Sequence, residues 1–190
     1  MLKVENLNVA YGQSHIVHDV SFEVKPREIV AVMGRNGMGK STLLKSLIGM
    51  VPPKSGKVEV NGTDVTFLES YRHVENGIAF VPQGRHVFSN LTVEENIRAG
   101  LRIKEHWVQL RTEVYSIFDV LCKMRGRKAG NLSGGQQQQL AIARALVAEP
   151  RVLILDEPTE GIQPSIIKDL ARQINDLKLS KDLAIVVSEQ

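Results

Sequence analysis

Residues 29 to 49 constrain what this chain can fold into more than any other stretch. Ile29 to Met33, IVAVM, is apolar without interruption, and residues 34 to 41 read GRNGMGKS. The segment after it places Leu43, Leu44, Leu47 and Ile48 on one helical face before Gly49 and the PPKSG loop close it. A short unbroken apolar run reads as a buried central strand, and leucines three and four apart read as a helix packed on that strand. GRNGMGKS fits the pattern Gly, four residues, Gly, Lys, Ser, and the strand before it and helix after it are the context that pattern requires. Its glycines let backbone N–H groups turn onto phosphate oxygens, while Lys40 reaches the β and γ phosphates and Ser41 can hold Mg²⁺.

The rest of the chain fits around that unit. Leu2–Val9 and Val20–Val24 alternate apolar with polar residues and read as an antiparallel pair. Lys57–Val60 runs into Asn61-Gly62, a hairpin signal, and IAFV at 78 to 81 is a short buried strand. Thr92 with Glu95 makes a helix-starting capping box, and residues 104 to 125 carry Trp107, Leu110, Val114, Ile117, Phe118 and Leu121 at helical spacing. Residues 84 to about 130 are therefore expected to form a helical insert, with 1–83 and 131–190 making one core. A helix after Ser133, a strand at Val152–Leu155, a helix opened by Pro164 and a strand at 183 to 187 complete an alternation. That alternation predicts an α/β fold with parallel central strands, an antiparallel N-terminal part and the helical insert. Gln136 to Gln139 is expected on the helix surface.

Composition narrows the classes of function. The 190 residues are 43% hydrophobic and carry a formal charge of +3, enough apolar material for one core and too little spread-out charge to suggest nucleic acid as partner. One cysteine, Cys122, excludes an intramolecular disulfide. MLKVENLNV lacks the layout of a secretory signal, and no apolar run approaches the ~20 residues of a membrane span. KMRGRK at 123 to 128 is the densest basic cluster and reads as a solvated face, with contact to a partner or phospholipid head groups as the alternative.

Two further motifs carry chemistry. VLILDE at 152 to 157 ends a buried strand in two carboxylates, where open α/β sheets place ligand groups. Beside a phosphate loop, Asp156 suits Mg²⁺ and Glu157 suits orienting and activating a water. LSGGQ at 132 to 136 opens a helix with Ser133 as cap and two glycines that permit close backbone approach.

In the order GRNGMGKS, Gln83, LSGGQ, LILDE, the chain resembles an ABC ATPase over essentially its whole length. The resemblance implies a P-loop NTPase core of RecA-like type that binds ATP and Mg²⁺ and pairs head to tail with a second, related ATPase subunit. ATP would lie between Gly34, Arg35, Asn36, Gly37, Met38, Gly39, Lys40, Ser41 and Thr42 of one subunit and Leu132, Ser133, Gly134, Gly135 and Gln136 of the other. It implies Tyr11 stacking on adenine, catalytic parts for Lys40, Gln83 and Glu157, and Mg²⁺ held by Ser41, Gln83 and Asp156. It further implies permease subunits, an external solute-binding protein acting through them, no nucleic acid, and a peripheral place on the cytoplasmic face of the cell membrane. VPQGR, LSGGQQQQLAIARAL and DEPTEGIQPS resemble the urea branch, with a branched-chain amino-acid or amide importer, or a truncated ATP-binding fragment that does not hydrolyse, as alternatives.

The pattern departs from the family in places. Gln163 stands where many members carry a signalling aspartate, and Gln190 where many carry a histidine. Members usually continue some tens of residues further, so the end of the family domain is expected to be missing. Arg27 replaces the glycine usual between KP and E, which predicts a turn without positive φ.

Overall fold

The computed structural model describes residues 1–190. β1 (Leu2–Tyr11) and β2 (Ser14–Val24) form a long antiparallel hairpin, with Leu2 opposite Val24 and Tyr11 opposite Ser14. β3 (Ile29–Met33) leads through the glycine loop into α1 (Lys40–Leu47). β4 (Ser55–Val60) returns antiparallel beside β1 and turns through Asn61-Gly62 into the two-residue β5 (Thr63–Asp64). Both turn residues have positive φ, 51° and 81°, the mirror-image turn that Asn-Gly favours. Next come α2 (Ser70–Glu75), β6 (Ile78–Val81), α3 (Val93–Arg98), α4 (Trp107–Ile117) and α5 (Asp119–Lys123). α6 (Gly134–Leu146), β7 (Val152–Asp156), α7 (Pro164–Ser180) and β8 (Ala184–Glu189) complete the chain.

The strands make two sheets, an antiparallel one in the order β2-β1-β4-β5 and a parallel one in the order β3-β8-β7-β6. The middle strands of the parallel sheet, β7 and β8, are covered on both faces, and their alternating side chains divide between two cores. Val152 and Ile154 of β7 and Ala184 and Val186 of β8 join Leu44, Leu47 and the inner face of the antiparallel sheet. Leu153, Leu155 and Ile185 face the other way, onto Leu140, Phe118, Ile97 and the helices. A fully buried leucine or isoleucine contributes about 1.5–3 kcal/mol, so the middle strands hold the layers together.

Four sequence expectations are corrected. β3 is an edge strand, not a central one: Ile29, Ala31 and Met33 are exposed, and only Val30 and Val32 pack toward a core. Its apolar run cannot report which strands lie beside it, because the order in a sheet is set by pairing with distant segments. Gln138 and Gln139 are buried and not on the helix surface, since α6 runs through the larger core; Gln139 Nε2 donates to Gln173 Oε1 at 3.1 Å. The stretch 104 to 125 is not one helix. It divides into a 3₁₀ turn at Lys104–His106, α4, and α5, with Phe118 at φ −116°, ψ 70° between the last two. Arg27 does have positive φ, +65°, despite the cost of about 1–2 kcal/mol for a side chain in that region. Its N–H donates to Leu183 O at 3.1 Å, and its guanidinium pairs with Asp182, so contacts with the start of β8 hold the turn.

Helix starts follow the sequence closely. Thr92 and Glu95 exchange both bonds of a capping box at α3, Ser133 and Gln136 do the same at α6, and Pro164 opens α7. Each cap is worth about 1 kcal/mol and depends on residues three apart, which is why it is legible locally.

His73 is a buried polar group with consequences for stability. It lies at 0% exposure against the end of α1, with Nδ1 3.0 Å from Leu47 O and no partner for Nε2. A carbonyl only accepts, so Nδ1 carries a proton toward Leu47 O, while Nε2 has no acceptor for a second one. Burial lowers its pKa from the ordinary 6.5, opposed by the carbonyls of Leu47, Leu68 and Val65. A depressed folded pKa means that the unfolded chain takes up the proton first. The contribution is therefore complete above pH ~6.5 and is lost as pH falls from there through the folded value. Urea midpoints at pH 7.5 and 5.5 should drop more for the wild type than for His73→Leu; equal drops would assign the acid sensitivity elsewhere.

Candidate functional site

The phosphate loop begins where β3 ends and finishes where Lys40 opens α1. Gly37 and Gly39 have φ of 79° and 88°. A Cβ on Gly39 would fall 2.8 Å from Ile16 Cγ2 and 3.1 Å from Ile16 O, so the second hairpin strand presses on the loop and excludes any side chain there. No acidic residue occupies the first turn of α1, leaving its partial positive end for an anion. Ile16, Asn36, Gly37, Gly39, Lys40, Ser41, Thr42, Gln83 and Glu157 line one cleft of about 350 Å³. Its walls are mostly polar and hold the side chain or backbone of five loop residues.

Lys40 is 7% exposed; Nζ donates to Gly34 O at 2.6 Å and Arg35 O at 3.3 Å and pairs with Glu157 Oε1 at 3.2 Å. A buried ion pair of this kind gains little net energy, because two charges have left water to form it. An anion entering the loop would compete with Glu157 for Lys40. The carboxylate of Glu157 is held further by Gln83 Nε2 at 3.3 Å and Gln190 Nε2 at 3.1 Å, both on Oε2. Gln83 Nε2 also reaches Glu160 Oε2 at 2.9 Å. Glu157 itself has φ +44°, a conformation that costs a non-glycine residue about 1–3 kcal/mol and persists only where the surroundings enforce it.

Asp156 lies behind this cleft at 3% exposure and does not line it. Ser41, Gln83 and Asp156 together offer hydroxyl, amide and carboxylate oxygens, the hard donor set that suits Mg²⁺. Gln83 points its amide nitrogen at the two glutamates, which leaves its oxygen for such a role.

The remaining predicted residues lie apart from the cleft. Gly34, Arg35 and Met38 belong to the loop but not to its lining; Arg35 contributes its carbonyl to Lys40, and Met38 is 70% exposed. Tyr11 sits at the hairpin tip and lines a neighbouring hollow with Gly12, Met50, Val51, Pro52 and Pro53. Leu132 is buried, and Ser133, Gly134, Gly135 and Gln136 start α6 without touching the cleft. Arg85 covers that helix start: a Cβ on Gly134 would meet its guanidinium at 2.9 Å, and Arg85 Nη2 donates to Glu160 O at 3.1 Å and Gly161 O at 3.2 Å.

Sequence reading missed Ile16, Arg85, Glu160, Ser188 and Glu189, and gave Gln190 a position without a contact. Ser188, Glu189 and Gln190 bond in turn to Asp156, Thr159 and Glu157. The available signal was that three polar residues end the strand LAIVV, since the ends of neighbouring parallel strands converge on one edge.

Residues 17–160 match the family described as ABC transporter. The chain belongs to that family. It is 42% identical over 189 residues to a probable branched-chain amino acid transport ATP-binding protein, LivF, of Archaeoglobus fulgidus, covering 98% of this chain and 79% of that one. It is also 42% identical over 180 residues to the high-affinity branched-chain amino acid transport ATP-binding protein BraG of Pseudomonas aeruginosa, covering 94% and 77%. A nucleotide-free ATP-binding cassette from an ABC transporter superposes with a TM-score of 0.90 at 26% identity, over 100% of this chain and 81% of that one. A dimeric post-hydrolysis cassette bound to ADP and Pi gives 0.84 at 26% identity, over 100% and 88%. The fold is thus that of the α/β ABC cassette, with its antiparallel and parallel sheets. No helix is long and apolar enough to cross a membrane.

Proposed function

We propose that this chain is the ATP-binding and ATP-hydrolysing subunit of an ABC importer for branched-chain amino acids. The observation that carries the proposal is that Lys40 of the phosphate loop and Glu157 share one cleft and one ion pair. When ATP enters, the loop amides and Lys40 take its phosphates, and Glu157 is released to accept a proton from the attacking water. Ser41, Gln83 and Asp156 are the residues that would hold Mg²⁺, which supplies charge neutralisation at the β and γ phosphates. Gln83 and Gln190, now bonded to Glu157, are placed to orient that carboxylate.

The cleft has no contribution from LSGGQ of the same chain, which favours completion by Ser133 to Gln136 of a second cassette in a head-to-tail dimer. The permease is proposed to dock on the apolar groove between α2, β6 and α6, lined by Val74, Phe80, Phe88 and Ala145. Such contiguous apolar surface is characteristic of an interaction site. The groove would place the subunit on the cytoplasmic face of the membrane through its partner. For the solute, the resemblance to the urea branch gives way to its alternative, because the two 42% identical relatives carry branched-chain amino-acid names. The solute would be chosen by the permease and binding protein.

ATP affinity tests the proposal directly. The wild-type chain should bind a fluorescent ATP analogue, and Lys40→Ala should weaken binding about 10-fold or more through loss of a charged hydrogen-bond donor, worth roughly 1.5–3 kcal/mol. Absence of binding by the wild type would refute the site.

A further inference from the structure

β8 lies between β3 and β7, so its last residues emerge beside the strand end that carries both acids of the site. In the ladder Ser188 pairs with Asp156 on one side and Val32 on the other. Paired positions on neighbouring strands project to the same face, and Ser188 meets Asp156 there at 0% exposure. Its Oγ donates to Asp156 Oδ1 at 2.6 Å and accepts from the Glu157 N–H at 2.9 Å. The carbonyl of Ser188 accepts from the same N–H at 3.2 Å. A hydroxyl has one hydrogen to give; here it goes to the carboxylate, and a lone pair receives the amide.

The two bonds act on different problems. Ser188 is the only protein group that donates a hydrogen bond to the Asp156 carboxylate, and that bond orients the carboxylate. Glu157 has φ +44°, and the double acceptor on its N–H holds the backbone in that turn, which aims the side chain at Lys40. Glu189 reinforces the same segment by accepting from the N–H and the hydroxyl of Thr159 at 3.2 and 3.0 Å.

We infer that Ser188 is a positioning residue whose buried hydroxyl fixes both the Asp156 carboxylate and the backbone turn at Glu157. The inference rests on the proposed roles of Asp156 in holding Mg²⁺ and Glu157 in activating water. Ser188 is wholly buried and does not line the cleft, so it acts through the two acids. Groups that orient a metal-holding carboxylate commonly set affinity and rate by about 10–100-fold.

The test uses the whole chain as wild type, Ser188→Ala and Ser188→Thr. It reads the Mg²⁺ concentration that half-saturates ATP-induced thermal protection, ATP binding in chelator, kcat, KM, and the melting temperature without nucleotide. Ser188→Ala removes one oxygen and leaves the strand pairing intact. It should bind ATP in chelator like the wild type, require about 10-fold more Mg²⁺, and lose about 10-fold in kcat with little change in KM. Ser188→Thr keeps the hydroxyl and should return both values to within about threefold of the wild type; if its added methyl prevents folding, Ser188→Ala decides alone. Wild-type Mg²⁺ demand and kcat in Ser188→Ala, or a loss confined to its melting temperature, would overturn the inference while leaving the ATP reading intact. A wild-type chain with no Mg²⁺-dependent response to ATP would overturn that reading and the inference together.

Discussion

Glu157→Gln should reduce ATP turnover by about 10²–10⁴-fold, the usual worth of a positioned general base, while ATP affinity stays the same or rises. The amide keeps the shape of the side chain, so the contacts that Gln83 and Gln190 make at 3.3 and 3.1 Å have a counterpart in the variant. What it removes is the negative charge and the basic oxygen. Lys40, now 3.2 Å from Oε1, loses an ionic competitor for the phosphates, which is why affinity should not fall. With hydrolysis blocked, ATP-bound chain should accumulate as a dimer, because the LSGGQ helix start lies outside its own cleft. Steady-state turnover, analogue binding and gel filtration with ATP check the three outcomes. Turnover within threefold of the wild type would mean that the base lies elsewhere, and the buried pair with Lys40 would then be an ionic tie of the resting state.

Phe118→Ala should cost about 3–5 kcal/mol of stability, the range for removing a buried aromatic ring. Phe118 is wholly buried at the break between α4 and α5, in the core that also holds Ile97, Leu132 and Leu140. Its ring fills the corner made by that break, and backbone bonds pass beside it, with its N–H donating to Val114 O at 2.9 Å and its carbonyl accepting from Leu121 N at 2.9 Å. These bonds survive truncation and keep the surrounding chain from collapsing into the space, which places the expected loss high. For a chain of this size the melting temperature should fall by on the order of 10 °C. Val108→Ala, at a 67% exposed position on α4, should change stability by less than about 0.5 kcal/mol. A urea titration of both variants separates them. A cost below about 1 kcal/mol for Phe118→Ala would show that α4 and α5 are not anchored to α6 through this ring.

Both predictions depend on features of different legibility. The loop glycines, Lys40, Ser41, the Asp156-Glu157 pair and the Ser133 cap could be read directly, because each is a local pattern whose chemistry depends on residues a few positions apart. The same holds for Thr92 with Glu95, for Asn61-Gly62 and for Pro164. The helical spacing of residues 104 to 125 was also visible, but not its interruption at Phe118. That kink is fixed by how the ring enters a core assembled from five helices and the parallel sheet, and no local residue announces it.

The sequence by itself determined most element types, the glycine loop and the acidic pair that ends β7, since these follow from side-chain period, turn chemistry and charge. Tertiary structure alone decided that β3 is an edge, that Gln138 and Gln139 are buried, and that Arg27 bears positive φ against the start of β8. It alone also brought Ser188, Glu189 and Gln190 onto a segment about thirty residues earlier and laid Arg85 over Gly134. The reason is common to all of these. A side chain's period reports whether it has a buried face, but what lies opposite that face is set by long-range strand pairing and helix packing, whose partners are distant in the chain.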